Sequence, residues 1–138
     1  MEQKDKELLI KDLCGRLPYE PWIWFKENWE TNPNFKGCQS QLRLYHLEYI
    51  VKDMDITLKP YLRPMSSMTG DEMREIEQMN NNSIQHIDTI GVRFQAFYDT
   101  CYNEMYDLFD YLNTHHFDYR GLIEKGLALA APEGMYNN

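Results

Sequence analysis

Two adjacent imidazoles, His115 and His116, are followed by Phe117, Asp118, Tyr119 and Arg120, so one short segment carries bases, a carboxylate, a phenol and a guanidinium. Imidazoles move protons near neutral pH or ligate metals, and an Arg beside a Tyr can hold the carboxylate or phosphate of a ligand. His115, His116, Asp118, Tyr119 and Arg120 are therefore the candidate ligand-binding or interaction residues. Adjacency limits chelation, because neighbouring side chains point to opposite faces of a strand and about 100° apart on a helix. His46 and His86 are remote in sequence. No metal and no cofactor are expected. Asp118 also reads as a helix N-cap, whose carboxylate accepts backbone N–H bonds and would repel an anionic ligand. On that reading the block is a structural connection between two helices.

Other chemistries find little support. Cys101 is the one cysteine with a conceivable base, His115 or His116, but it lies on an apolar helical stripe where burial leaves a thiol inert. Cys14, Cys38 and Cys101 are odd in number and form no C-x-x-C pair, the usage of reduced thiols in a cytoplasm. The chain has no glycine-rich phosphate loop, no G-x-S-x-G and no H-E-x-x-H. The sequence names no catalytic residue and leans away from an enzyme.

Charge excludes a further class. The chain has 22 acidic against 14 basic residues, a formal charge of −8, which opposes direct nucleic-acid binding because that relies on Lys and Arg displacing counterions. Glu104, Asp107 and Asp110 line one helical side without a balancing cation. That side is either a solvated face or an acidic decoy imitating nucleic acid. The segment Met1–Glu7 mixes charges and only Leu8, Leu9 and Ile10 follow it as an apolar run, which suits neither a signal peptide nor a membrane span.

The elements that must position these residues follow from periodicity. Leu9, Ile10, Leu13, Cys14 and Leu17 fall at helical spacing over residues 4–16, with Lys11 and Asp12 on the water side and Pro18 as the stop. Pro21–Phe25 suits a strand, and residues 28–39, with Asn32-Pro33-Asn34 and Gly37, a loop. Leu42–Val51 alternates with one change of parity, which predicts a strand with a bulge. Ile56–Arg63 alternates again, and Pro60 predicts that this strand is at an edge or irregular there. Thr69-Gly70-Asp71-Glu72 spells a capping box for a helix ending at Asn80-Asn81-Asn82. Ile90, Val92, Phe94, Ala96 and Tyr98 predict a strand over 89–99. Residues 101–113 turn helical, and Asp118 caps a last short helix holding Leu122, Ile123 and Leu127. With no repeat or linker, the expected fold is a single α+β domain over residues 1–138, a small antiparallel sheet packed with about four helices.

Three phrases, Lys11–Tyr19, Lys59–Thr69 and His115–Leu129, together with the tail Ala131–Tyr136, resemble a family of small uncharacterised proteins encoded by gut anaerobic bacteria and their phages or mobile elements. The resemblance implies an α+β fold and a cytoplasmic, phage-related origin, and it assigns no activity or catalytic residue. The segment from Glu20 to Ile50 departs from the family pattern, in which a valine-rich strand follows the Leu-Pro-Tyr phrase. The function expected first is a non-enzymatic accessory factor, its C-terminal block and nearby aromatics forming a surface for an unknown protein partner. The alternatives are a small-ligand binder or enzyme built on His115–Arg120, and the acidic decoy.

Overall fold

A computed structural model describes residues 1–79, 87–88, 91–92 and 102–136. Helix α1, Gln3–Arg16, buries Leu9, Asp12, Leu13 and Arg16, the i, i+3, i+4, i+7 stripe of an amphipathic helix. Leu9 and Leu13 point inward as their spacing predicts. Asp12, assigned to the water side by its charge, is fully buried instead, and Cys14 is exposed. The reason is Arg16, one turn on. Its Nε donates to Asp12 Oδ2 at 2.7 Å and its Nη2 to Oδ1 at 3.1 Å, a two-point pair between helical neighbours that lets both charges leave water.

The sheet has the order β2-β1-β3-β6, formed by β1 (Trp22–Glu27), β2 (Cys38–Gln41), β3 (Ile56–Leu62) and β6 (Leu129–Ala130). Strand β1 runs antiparallel to both β2 and β3, with Phe25 opposite Cys38 on one side and Leu58 on the other. The expected antiparallel pairing therefore covers three strands. Strand β6 is parallel to β3, with Tyr61 opposite Leu129; the long helical excursion between them lets the chain return in the same direction. Leu58, Pro60 and Leu62 alternate inward.

Two expectations between β1 and β3 are corrected. Part of the predicted loop is strand β2, and the predicted bulged strand at 42–51 is helix α2, Leu44–Val51. The apparent parity change was one helical turn: His46 and Leu47 face the core while Leu44, Tyr45 and Val51 face water. The imidazole opens this helix, because Arg43 N–H donates to His46 Nδ1 at 2.9 Å, the contact a Glu or Gln makes in a capping box.

Helix α3, Gly70–Met79, begins at the expected box: Thr69 N–H donates to Glu72 Oε1 at 2.9 Å and Glu72 N–H to Thr69 Oγ1 at 3.2 Å. Its expected end at Asn80–Asn82 lies outside the described residues. So does most of the predicted strand over 89–99, of which Gly91–Val92 forms β5, paired with β4 (Ile87–Asp88). Helix α4, Tyr102–Thr114, leads into the histidines. The last short helix capped by Asp118 is not formed. Asp118 does accept from Leu122 N–H (2.8 Å) and Ile123 N–H (3.0 Å), but Gly126 at φ +74° and the bonds Gly126 N to Ile123 O and Leu127 N to Leu122 O close the chain after a single turn.

The four-stranded sheet with α1–α4 makes the fold α+β. Its interior falls into two clusters, one around Leu9, Leu13, Ile23, Leu58 and Leu62, the other around Met68, Ile76, Leu108, Leu112 and Phe117. Arg16 also donates to the Phe117 carbonyl at 2.7 Å, tying α1 to the second cluster. Replacing Arg16 leaves the buried Asp12 with only the Arg120 guanidinium, 3.2 Å away, and stranding a buried charge costs up to about 3–5 kcal/mol. Arg16→Met is therefore expected to lower stability by about that amount in urea unfolding, and Asp12→Leu/Arg16→Met by less than the single change.

Candidate interaction surface

The side chains of the C-terminal block are engaged by groups from α1, α3, α4 and the end of β3. His115 follows the last turn of α4, stacks on Tyr111 at 4.2 Å, and has Nδ1 3.4 Å from Glu72 Oε2. Tyr119 donates to Asn113 Oδ1 at 2.9 Å. Arg120 Nε lies 3.2 Å from Asp12 Oδ1. Asp118 caps the following turn. Phe117 is fully buried under the Arg63 guanidinium, 4.1 Å from its ring centre, and Arg63 is itself held by both Glu72 oxygens at 2.8 Å. Burial alone would raise the Glu72 carboxyl; the Arg63 and Thr69 hydrogen bonds and the Arg63 charge outweigh it and hold the group below its usual range.

His116 has the most unusual backbone in the block. It adopts φ +62°, and with His116 N bonded to Asn113 O and Phe117 N to Leu112 O it occupies the left-handed closing position of α4 that glycine normally takes. Its ring stacks on Tyr136 at 3.9 Å and 22°. Nδ1 is buried and has no hydrogen-bond partner among the described residues. Burial, then the charges of Arg16, His115 and Arg63, push its pKa down to about 4. Among the described residues no three His, Cys, Asp or Glu side chains are grouped as metal ligands would be. Cys101 and the Glu104 side chain lie outside the described residues; Asp107 and Asp110 are exposed, and Asp110 accepts from Tyr19 at 3.3 Å.

Tyr136 sits at the sheet's end. Its hydroxyl accepts from Trp22 N–H at 2.8 Å and donates to the Tyr61 carbonyl at 2.7 Å, standing where β1 and β3 would otherwise exchange a ladder bond. Burial raises its pKa to about 12. These bonds tie the block and the tail into the fold.

The surface that remains unexplained is on α2. Leu44 (63% exposed), Tyr45 (48%) and Val51 (59%) stand outward around the exposed Glu48, while His46 and Leu47 are buried. His46 is enclosed by Phe25, Tyr45 and Tyr49 rings, and burial lowers its pKa. The helix thus exposes three large apolar side chains beside its one charged residue. Beyond its C-terminal end opens a cleft of about 390 Å³, with Leu9, Ile50, Leu58 and Leu127 among its walls and Met54, 41% exposed, at its rim. Periodicity missed this surface because it was read at period two; the available signal was that Leu44–Val51 holds a single charged residue, Glu48.

No known family model matches the chain, and neither does any curated protein or solved structure. Among the described residues no helix is long and apolar enough to cross a membrane.

The depressed His116 pKa carries a sign. The fold favours the neutral ring, so its contribution is complete above the unfolded value near 6.5 and is lost as pH falls toward about 4. His116→Asn, which tolerates the left-handed backbone, removes that term. Urea midpoints measured between about pH 7 and pH 4.5 are expected to fall more steeply for the natural chain than for the variant; parallel curves would contradict the assignment.

Proposed function

We propose that this protein is a non-enzymatic binding factor that docks on a different protein through the outer face of α2, an accessory factor of the phage or mobile-element kind its phrases resemble. The observation that carries the reading is the exposure of Leu44, Tyr45 and Val51 on a helix whose other face is core. Large apolar side chains exposed together on one helix, here around the exposed Glu48, mark interaction sites on soluble proteins, and aromatic side chains supply contact area at low entropic cost. The −8 charge favours a partner with a basic rim over a second copy, because like-charged surfaces repel. In a reducing cytoplasm, exposed Cys14 and Cys38 stay as thiols. The internal bonding of His115–Arg120 supports the interaction reading over an enzyme built on that block.

A photo-crosslinker replacing Tyr45 is expected to trap one heterologous protein in the native host, and one replacing Glu77, exposed on α3, to trap none. Leu44→Glu/Val51→Glu should abolish the product while changing unfolding free energy by no more than about 0.5 kcal/mol, since both sites are exposed. Crosslinks to a second copy alone, or equal yields at both positions, would refute the proposal.

A further inference from the structure

The open edge of β3 faces the cleft beside α2. Along a strand, backbone groups of successive residues point to alternate sides. Tyr61 and Arg63 direct theirs toward β1, because the Tyr61 carbonyl meets the inserted Tyr136 hydroxyl and Arg63 N and O bond to His116 O and Asp118 N in β1's continuation. Leu62 points the other way, accepting from Ala131 N at 2.8 Å beside β6. By the same alternation Ile56, Leu58 and Pro60 face the β6 side. Strand β6, however, pairs only with Tyr61 and Leu62.

Among the described residues no strand pairs with the remaining stretch of that edge. Pro60 brings no donor, and Ile56 N–H is taken by the Met54 carbonyl at 2.7 Å. By that alternation Leu58 N–H and C=O point away from β1, and on the β6 side no described residue bonds them, although Leu58 is only 3% exposed. Buried backbone polar groups are nearly always bonded, and leaving one unmade costs about 1–3 kcal/mol. Both the inward Leu58 and the outward Thr57 and Lys59 line the cleft, which places the cavity over the strand's edge and not over one face.

We infer that this edge binds an extended segment of the partner protein, which adds as a strand beside Ile56–Pro60 in line with β6. The inference rests on the protein-binding reading and names the form in which the partner enters. The Leu58 groups supply a donor and an acceptor to a peptide backbone, the mode of strand addition. Alternation then sets the side chains. One face of the segment places an apolar residue against Leu9, Ile50 and Leu127. Its other face lies beside Lys59, a rim cation with no ion pair among the described residues, whereas Lys6 is occupied by Asp53. The segment therefore alternates apolar residues with an acidic one opposite Lys59.

Amide exchange on the 138-residue chain tests the edge without a partner. In the free protein the Leu58 amide is expected to exchange at least about tenfold faster than those of Thr57 and Lys59, which face β1. An acetylated, amidated peptide of sequence Thr-Val-Glu-Val-Thr-Val, added to about 5 mM because millimolar affinity is worth only about 4 kcal/mol, should slow Leu58 exchange and shift the 56–60 resonances. The same peptide with alternate amides N-methylated should do neither, and Lys59→Glu should weaken the acidic peptide by roughly threefold. Overturning results are a Leu58 amide as protected as its neighbours in the free chain, no shift at 56–60, or equal effects from the methylated peptide. Failure here with specific crosslinking at Tyr45 removes strand addition and leaves the α2 reading standing; failure at Tyr45 with a responsive Leu58 amide does the reverse.

Discussion

Phe117 is held from two sides by arginines, and through them α1, the end of β3 and α3 meet at one residue. Arg63 lies over its ring and Arg16 donates to its carbonyl. Arg16 brings α1 and its buried Asp12; Arg63 brings β3 and, through Glu72, the first turn of α3. The Phe117 ring belongs to the second hydrophobic cluster and its backbone extends the β3 ladder beyond β1. Charged groups this deep persist because each has a partner of opposite sign and a geometry that uses several of its lone pairs or protons. The helix end, the sheet end and both clusters meet where the sequence placed its densest run of polar and aromatic residues.

That convergence explains what reading the sequence could and could not reach. The capping box at Thr69 and the strand at Ile56 were legible because both are local: a fixed spacing and a period of two. The Asp12–Arg16 pair was not, since hydrophobic periodicity counts apolar residues and assigns every charge to water, whereas here two charges cancel one turn apart and enter the core together. Leu42–Val51 failed for the opposite reason. A short run apolar on nearly all sides fits strand and helix periods equally, and the deciding feature is a histidine ring accepting the Arg43 N–H.

The candidate site was legible only as a place where unusual side chains gather. Spacing could exclude His115 and His116 as joint ligands, and it could propose Asp118 as a cap. It could not foresee that Tyr119, Arg120 and His115 each find a partner from α4, α1 and α3 respectively, because those partners are far off in sequence or on another helix. The surfaces for which the described residues provide no such partner, the outer face of α2 and the edge of β3, are made of ordinary residues. Their distinction is what fails to cover them, and absence of a neighbour has no sequence pattern.

The Tyr136 hydroxyl inserted between Trp22 and Tyr61 acts as a gauge on strand alignment. A slip of β1 by two residues along β3 would keep every side chain on its proper face and so cost little through hydrophobic patterning alone. It would nevertheless move Trp22 N–H and the Tyr61 carbonyl apart, leaving no single position from which one hydroxyl could accept from the first and donate to the second. One phenol from the end of the chain thereby distinguishes alignments that the core would otherwise accept.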